Sequence, residues 1–577
     1  MCDKTLLLLF VMVGLARARV LTTEVYDHVD VVLSGPPATA TLNPFADVGL
    51  TATFSLSGGG ASTQVAVTGF YDGEARYIVR FMPSAVGNWS WTTACSGSGR
   101  SGTACAGLDG KTGVVVATAR VTPGNRGVAR TSAPEGVGFT FDGDGSAFIP
   151  VGTTSYAWLH QPQGDPLEEQ TLASLKGSPF NKIRMTIFPK WYPFTHDEPR
   201  WYPFQGNFNP WNSSWDYARF NPTFWQHVER RVLQLRDMNV IAELILFHPY
   251  DGGHWGFDRI NQNCKNVSGV GSGLACDQYY VKYAVARLSG FRNVWWSMAN
   301  EWDIEKSKTV ADWDSLFQTL QASDPYDKER SIHNCIKYYN HSQPWISHIS
   351  LQGHDVGQLD MAKDTWWTPD LKKPLVWDEV EYEGNITYGW GRLTGKEESQ
   401  RFWTAATNLA HCAGHSNTAL LPENLPNCSD PNNDGTNGKP LCNPVMWWNK
   451  GGVLRGESPP RIQFYRQQMA DMPVYKDMNS EKLWVDTNSS VNGGSGVFHA
   501  YAKDGSWHLV WWLKTAHPVD IPIHAESSSP FDATHIDYWN MTTTEMGHVQ
   551  GVGGAVHWAP PYASYVLKLT RRTDEAE

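Results

Sequence analysis

Two glutamates follow apolar runs of the kind that form buried strands. Glu301 comes after Val294-Trp-Trp-Ser-Met-Ala299 and Asn300, and Glu379 comes after Pro374-Leu-Val-Trp-Asp378. A carboxyl group at such a place loses water on one side, which costs free energy unless it is paired or hydrogen-bonded. One such residue alone is more often a turn former or an ion-pair partner. Two that face each other are equipment for cleaving a glycosidic bond: one protonates the leaving oxygen, and the other attacks or stabilises the sugar cation. That division requires a raised pKa on the acid and an ionised partner. Glu381 and Glu383 are rivals for the second role. Strand alternation puts 379 and 381 on one face, and Glu379 is preferred because it directly follows the apolar strand.

Other polar residues stand near predicted strand ends. His248, Asp251, His333 and His354 are expected to line the same cleft, and Arg184, inside a strand, to brace a catalytic carboxylate through a bidentate pair. The chain has 27 Trp against 13 Met, with Trp191, Trp201, Trp211, Trp215, Trp255 and Trp390 in predicted loops. Sugar rings present apolar C–H faces to indole, so Trp255 and the loop from Phe188 to Tyr217 are expected to bind glycan. Trp295, Trp296 and Trp511 are expected in cores. Asp430-Pro-Asn-Asn-Asp-Gly435 begins like a calcium loop, but no Glu occupies the twelfth position. No CxxC pair or Cys/His cluster suggests zinc. The expectation is therefore no metal and no cofactor. A G-x-S-x-G elbow, the mark of an esterase, is missing.

The elements that must position these groups change character along the chain. Residues 19–124 read as short alternating strands between Gly/Ser-rich turns, which fits a β-sandwich. Over 125–474, strand-like runs alternate with amphipathic helical ones such as Pro222 to Met238, so the fold class is α/β, a (β/α)8 TIM barrel. Its strands are read at 147–152, 182–187, 240–247, 294–299, 331–333, 349–352, 374–378 and 418–421. Glu301 and Glu379 then end strands four and seven, and such barrels carry their catalytic groups at the strands' C-terminal ends. Residues 475–577 are β-rich again and are expected to form a C-terminal β-sandwich.

Composition narrows the partners. The net charge is -11, from 47 basic and 58 acidic residues, and no Lys/Arg-rich run marks a nucleic-acid partner. Residues 1–18 read as a signal peptide: Lys4, the apolar run Leu6 to Leu15, then Ala16-Arg17-Ala18. That run is too short to span a bilayer, and no later stretch is long enough. Cys95 and Cys105, Cys264 and Cys276, and Cys428 and Cys442 suit small disulfide loops, with Cys335 and Cys412 left as a fourth bridge or as thiols. Sequons at Asn88, Asn212, Asn266, Asn340, Asn385, Asn427, Asn488 and Asn540 agree with export. Nothing in the sequence specifies an oligomeric state.

Three stretches make the barrel region resemble the apiosidase-like group of clan A glycoside hydrolases: Gly152-Thr-Thr-Ser-Tyr-Ala-Trp158, Phe247-His-Pro-Tyr-Asp251 and Trp447-Trp-Asn-Lys-Gly-Gly-Val-Leu-Arg-Gly-Glu457. Asn43-Pro-Phe45, Gly69-Phe-Tyr-Asp-Gly73 and Arg80-Phe-Met-Pro83 resemble the Ig-like domain that often precedes such barrels. The region around Asp537-Tyr-Trp-Asn-Met541 resembles their C-terminal β-domain. The resemblance implies a secreted retaining glycosidase acting on a poly- or oligosaccharide. It makes Glu301 the general acid/base, Glu379 the nucleophile, and Asn300 the holder of a sugar hydroxyl, and it adds Trp158 to the substrate-binding residues. One position departs from the group. Where its members often carry His-Gly-Glu-Thr, this chain has His415-Ser-Asn-Thr418, with Asn417 in place of the acid. That change supports a competing reading, an inactive barrel that binds glycans as a wall protein. Retention of both Glu301 and Glu379 speaks against it.

Overall fold

The computed structural model describes residues 19–57, 63–97, 104–132, 136–192, 194–210, 212–353, 355–368, 370–386, 390–412, 443–486, 494–524 and 530–572. The signal-like residues 1–18, the run 418–421, Asn417, Cys428, Cys442, Asn427, Asn488, His354 and Trp211 lie outside them.

Eight parallel strands run in chain order through the middle of the molecule. They are β1 (Gly152–Thr154), β2 (Lys182–Thr186), β3 (Ile241–Phe247), β4 (Val294–Ala299), β5 (Arg330–Ser331), β6 (Ile349–Gln352), β7 (Leu375–Glu379) and β8 (Ala410–Cys412). The first five hydrogen-bond into one sheet in that order, and the last three into a second. Helices α1 (Leu167–Lys176), α2 (Pro222–Asp237), α3 (Leu274–Leu288), α4 (Val310–Ser323), α5 (Gly357–Trp366) and α6 (Gly395–Thr407) make the crossovers, and α7 (Ser458–Gln468) follows β8. α2 starts at Asn221, whose side chain accepts from the Thr223 N–H, and Pro222 occupies the position where no N–H is needed.

Two strands differ from the sequence expectation, and the run read as the eighth lies outside the described residues. Ala147–Phe148 pairs antiparallel with Phe139–Phe141 and is not a parallel strand. Pro150 has no N–H to give a ladder and splits that apolar run, so β1 starts at Gly152. β5 ends at Ser331, which leaves His333 beyond its tip. The eighth parallel strand is Ala410–Cys412, a run too short and too mixed to read as a strand by pattern.

The space between the two sheets is layered. At the end where the strands begin, Ala129, Phe139, Phe148, Ile241, Trp295 and Val376 pack together as an apolar plug. The next layer is charged. Lys182 of β2 pairs with Glu243 of β3 and donates to Asp378 Oδ1 of β7 at 2.8 Å, and all three side chains are fully buried. Ser350 Oγ of β6 donates to Asp378 Oδ2 at 2.5 Å. Burial opposes charge on Asp378, but Lys182 and Arg184 hold its carboxyl down at about 2. This group ties the first sheet to the second.

β-sheets flank both ends of this region. At the N-terminal end, a five-stranded and a three-stranded sheet share one core with α2 and α3. Arg80 reaches Glu229 of α2 at 2.8 Å, and Arg287 of α3 reaches both Asp72 and Glu229, at 2.8 and 2.7 Å. At the C-terminal end, a six-stranded sheet packs on α6, where Trp511 Nε1 donates to Thr404 Oγ1 at 3.0 Å. Disulfides join Cys95 to Cys105 and Cys264 to Cys276, while Cys335 and Cys412 have no disulfide partner among the described residues. Asn88, Asn212, Asn266, Asn340, Asn385 and Asn540 are all exposed. Among the described residues, no helix is long and apolar enough to cross a membrane.

Replacing Lys182 with Met leaves two buried carboxylates with only the more distant Arg184 as a cation. The expected cost is about 3–5 kcal/mol, because breaking a buried pair from one side strands the remaining charge. The guanidinium midpoint reported by tryptophan fluorescence measures it. A loss under about 1 kcal/mol, within the range of an exposed ion pair, would refute the bridging role.

Candidate active site

The two glutamates reach the mouth by different backbone devices. On β4, the Asn300 N–H donates to Phe247 O at 3.0 Å and the Trp302 N–H donates to His333 O at 3.1 Å. Between these clamps Glu301 takes φ 52° and ψ 52°, a left-handed conformation that costs a residue with a Cβ about 1–2 kcal/mol. On β7, Leu351 pairs with Trp377, but the next residue, Gln352, pairs with Glu379. This register shift lets two successive residues, Asp378 and Glu379, turn inward. Asp378 meets Lys182, Glu379 enters the mouth, and Trp377 stays in the helix-facing core.

One side chain bridges the pair. With its amide nitrogen turned toward the carboxylates, the only orientation that does not set its oxygen against acceptors, Gln352 lies 3.1 Å from Glu301 Oε1 and 3.2 Å from Glu379 Oε2. Glu379 is otherwise well supplied. Tyr156 OH and His333 Nε2 reach its Oε2 at 3.0 and 3.1 Å, and Tyr382 OH donates to its Oε1 at 2.9 Å. Glu301 is poorly supplied: among the described residues its buried Oε2 has no hydrogen-bond partner. Burial, reinforced by the charge of Glu379, pushes Glu301 up to about 8. Burial therefore favours the neutral form of Glu301 while four polar groups surround Glu379, an asymmetry of the kind acid-assisted cleavage needs.

Lys190 adds a cation. Its ammonium stands 3.8 Å from the ring centre of Tyr156, 4.1 Å from Tyr250 and 4.5 Å from Tyr192. Burial pushes it down to about 7, against the pull of Glu301 and Glu379. Tyr192, Phe194, Tyr250, Trp390 and Trp448 complete the wall of a pocket of about 200 Å³ that contains both glutamates, Asn300 and Gln352. A larger groove of about 560 Å³ lies between α5 and the C-terminal sheet, far from this chemistry. The carboxyl pair, not size, identifies the site.

The structure brings together only part of the expected set. Asn300 lines the pocket, with its amide oxygen accepting from Arg184 Nη2 at 3.0 Å. Arg184 approaches Glu379 Oε2 through one nitrogen at 3.8 Å, so it is no bidentate brace. His333 touches Glu379 directly. Four others are elsewhere. His248 is buried against Phe188 O, and Asp251 accepts from the Gly256 and Phe257 N–H groups, so both shape one loop. Trp158 is fully buried core, and Trp255 donates to Glu198 Oε2 at 3.0 Å outside the pocket. Of the Phe188–Tyr217 loop, Tyr192 and Phe194 line the pocket, whereas Trp191 stacks on His254. Trp295, Trp296 and Trp511 are fully buried, as expected. Glu381 lines a separate pocket with Arg392 and Arg401, and Glu383 accepts from the first N–H groups of α7. Tyr156, Lys190, Gln352 and Tyr382 had no signal in the sequence beyond their strand-end or loop positions. Glu243, His348 and Asp378 stand close enough together to hold a metal, but the Lys182 ammonium already pairs with both carboxylates.

Parallel strands in chain order with a carboxyl pair at their C-terminal ends define a glycosidase of the TIM-barrel kind, and comparisons agree. Residues 138–416 match the apiosidase-like catalytic domain family, and residues 22–96 match a domain of unknown function, DUF5060. A candidate glycoside hydrolase from Bacteroides vulgatus is 30% identical, with a TM-score of 0.75 over 96% of this chain and 100% of that one. A glycoside hydrolase family 5 protein from the same organism has the same fold at 14% identity, with a TM-score of 0.56 over 79% of this chain and 96% of that one. No curated protein is similar in sequence. The chain belongs to the clan A glycoside hydrolases with an apiosidase-like catalytic domain, and it is a glycosidase.

Glu301→Gln tests the electrostatics without substrate. A folded pKa of about 8 against an ordinary 4.5 means that the folded chain must hold a proton the unfolded chain would release. The penalty is absent below about pH 4.5, grows as pH rises and levels off above about 8. The variant is expected to be more stable than wild type by about 2–4 kcal/mol at pH 8 and by almost nothing at pH 4. Melting curves across that range check it. A difference independent of pH would mean that Glu301 is not held protonated.

Proposed function

We propose that this protein is a secreted, retaining glycosidase whose two parallel sheets close into one (β/α)8 barrel between an N-terminal Ig-like sandwich and a C-terminal β-sandwich, divided near 124 and 474. Glu379 attacks the anomeric carbon as Glu301 protonates the leaving oxygen. Glu301 then takes the proton of the water that releases the sugar from Glu379. Asn300 holds a hydroxyl of the sugar beside the reacting carbon, and Tyr192, Trp390 and Trp448 offer ring faces to it.

The observation that carries this reading is the shared amide of Gln352. Two carboxylate oxygens that lie 3.1 and 3.2 Å from one nitrogen are at most 6.3 Å apart. Retaining pairs stand about 5–5.5 Å apart, and inverting pairs need about 6.5–9.5 Å to admit a water. The hydrogen bonds on Glu379 support its ionised state, and the burial of Glu301 supports its acid role. The disulfides and exposed sequons support export. The family's name makes a terminal apioside the first glycoside to try, within a panel of plant, algal and microbial glycans.

Sugar release from that panel is expected with wild type and is expected to fall at least 10⁴-fold in Glu379→Gln, as when a covalent nucleophile is removed. NMR of the first product should show retained anomeric configuration. Inversion would overturn the nucleophile assignment, and equal release by the variant would overturn the site. The pH profile should lose its basic limb near pH 8 as Glu301 ionises.

A further inference from the structure

The C-terminal sheets carry a group of imidazoles that the glycosidase chemistry does not use. Glu481 lies on the strand Met478–Val485 and pairs across the ladder with His499 of Gly496–Ala502. His508 stands on the next strand, Trp507–Leu513, and His524 follows Val519–Pro522 of the two-stranded sheet. His499 Nδ1 is 2.9 Å from Glu481 Oε1, and His524 Nε2 is 3.1 Å from the same oxygen. Glu481, His499 and His524 each present one ligand atom within 4.8 Å of the others. The His524 ring stacks on Tyr501 with centroids 4.0 Å apart, which sets its orientation.

Hydrogen bonds assign the tautomers. The Gly505 carbonyl only accepts, so His508 Nε2, 3.3 Å away, carries a hydrogen. The Nδ1 of a neutral His508 then accepts, and His499 Nε2, at 3.0 Å, is the donor. A neutral His499 is left with a bare Nδ1 lone pair aimed at a carboxylate oxygen. Two lone pairs at that distance repel unless a positive charge stands with them. Ligand histidines commonly donate their other N–H to a fixed acceptor, and here His508 is that acceptor.

We propose that Glu481, His499 and His524 bind one divalent first-row transition metal, such as zinc, with His508 orienting His499. Nitrogen and carboxylate ligands suit that class of ion. Tetrahedral ligands about 2.0–2.1 Å from zinc stand about 3.4 Å apart, so the present spacing needs only a small opening. His524 is at the surface, which leaves a path for entry and a fourth position for water. The ion would staple the two-stranded sheet to the six-stranded one. The sequence shows no zinc pattern because the ligands come from three separate segments, two strands and the residue pair after a third.

The test uses the full chain, stripped with a chelator, then dialysed against zinc and analysed for metal. Wild type is expected to retain one zinc per chain, to melt several degrees higher with zinc than without, and to give with cobalt the visible absorption of a tetrahedral ion. His524→Ala, an exposed position whose loss leaves the fold intact, is expected to lose all three responses and to keep its sugar release. His508→Phe is expected to bind zinc 10–100-fold more weakly. If wild type retains no more zinc than His524→Ala, the proposal is wrong. NMR would then be expected to find His499 protonated on both nitrogens, as an ion pair with Glu481.

Discussion

The mouth is organised around two neighbouring carboxyl groups with very different surroundings. Glu379 is surrounded by Tyr156, Tyr382, His333 and Gln352, while half of the Glu301 carboxyl is buried without a partner among the described residues. The difference in hydrogen bonding decides which group gives up its proton, because each bond to the ionised form favours it and bare burial opposes it. The tyrosines cannot take over the charge: burial pushes Tyr156 and Tyr382 well above their ordinary range, so both remain donors.

That arrangement needs a rigid floor. The Lys182, Glu243 and Asp378 layer lies directly under the mouth and joins β2, β3 and β7. Its two carboxylates are shared between the Lys182 ammonium and Arg184, which stands 3.6 Å from Glu243, so each has a cation beside it. The aromatic plug beneath and the helices outside keep water from the layer. The left-handed backbone at Glu301 is tolerated because both adjoining N–H groups are bound, one to Phe247 at the end of β3 and one to His333 just beyond β5. Strain of this kind persists where the surroundings over-determine the conformation.

The flanking sheets make contacts too strong for loose appendages. Arg80 and Arg287 join the N-terminal sheets to α2 and α3 through two buried acids, and α6 lies against the C-terminal sheet. α6 also connects β7 to β8, so the C-terminal sheet supports the strand that carries Glu379.

The sequence by itself determined the class of fold and the two carboxylates. Apolar runs of strand length alternate with amphipathic helices, and burial demands that pattern wherever the chain meets others, so it survives in one dimension. A glutamate directly after such a run is visible for the same reason. Only the tertiary structure decided which neighbours those glutamates have. Strict alternation would turn Glu379 outward with Trp377, and the register shift against Gln352 turns it in. His248, Asp251 and Trp255 stand near strand ends yet serve loops, because a loop's path is set by backbone hydrogen bonds between distant residues. Lys190, Tyr156, Gln352 and Tyr382 meet at one pocket from four separate segments, and no spacing in the chain encodes that meeting.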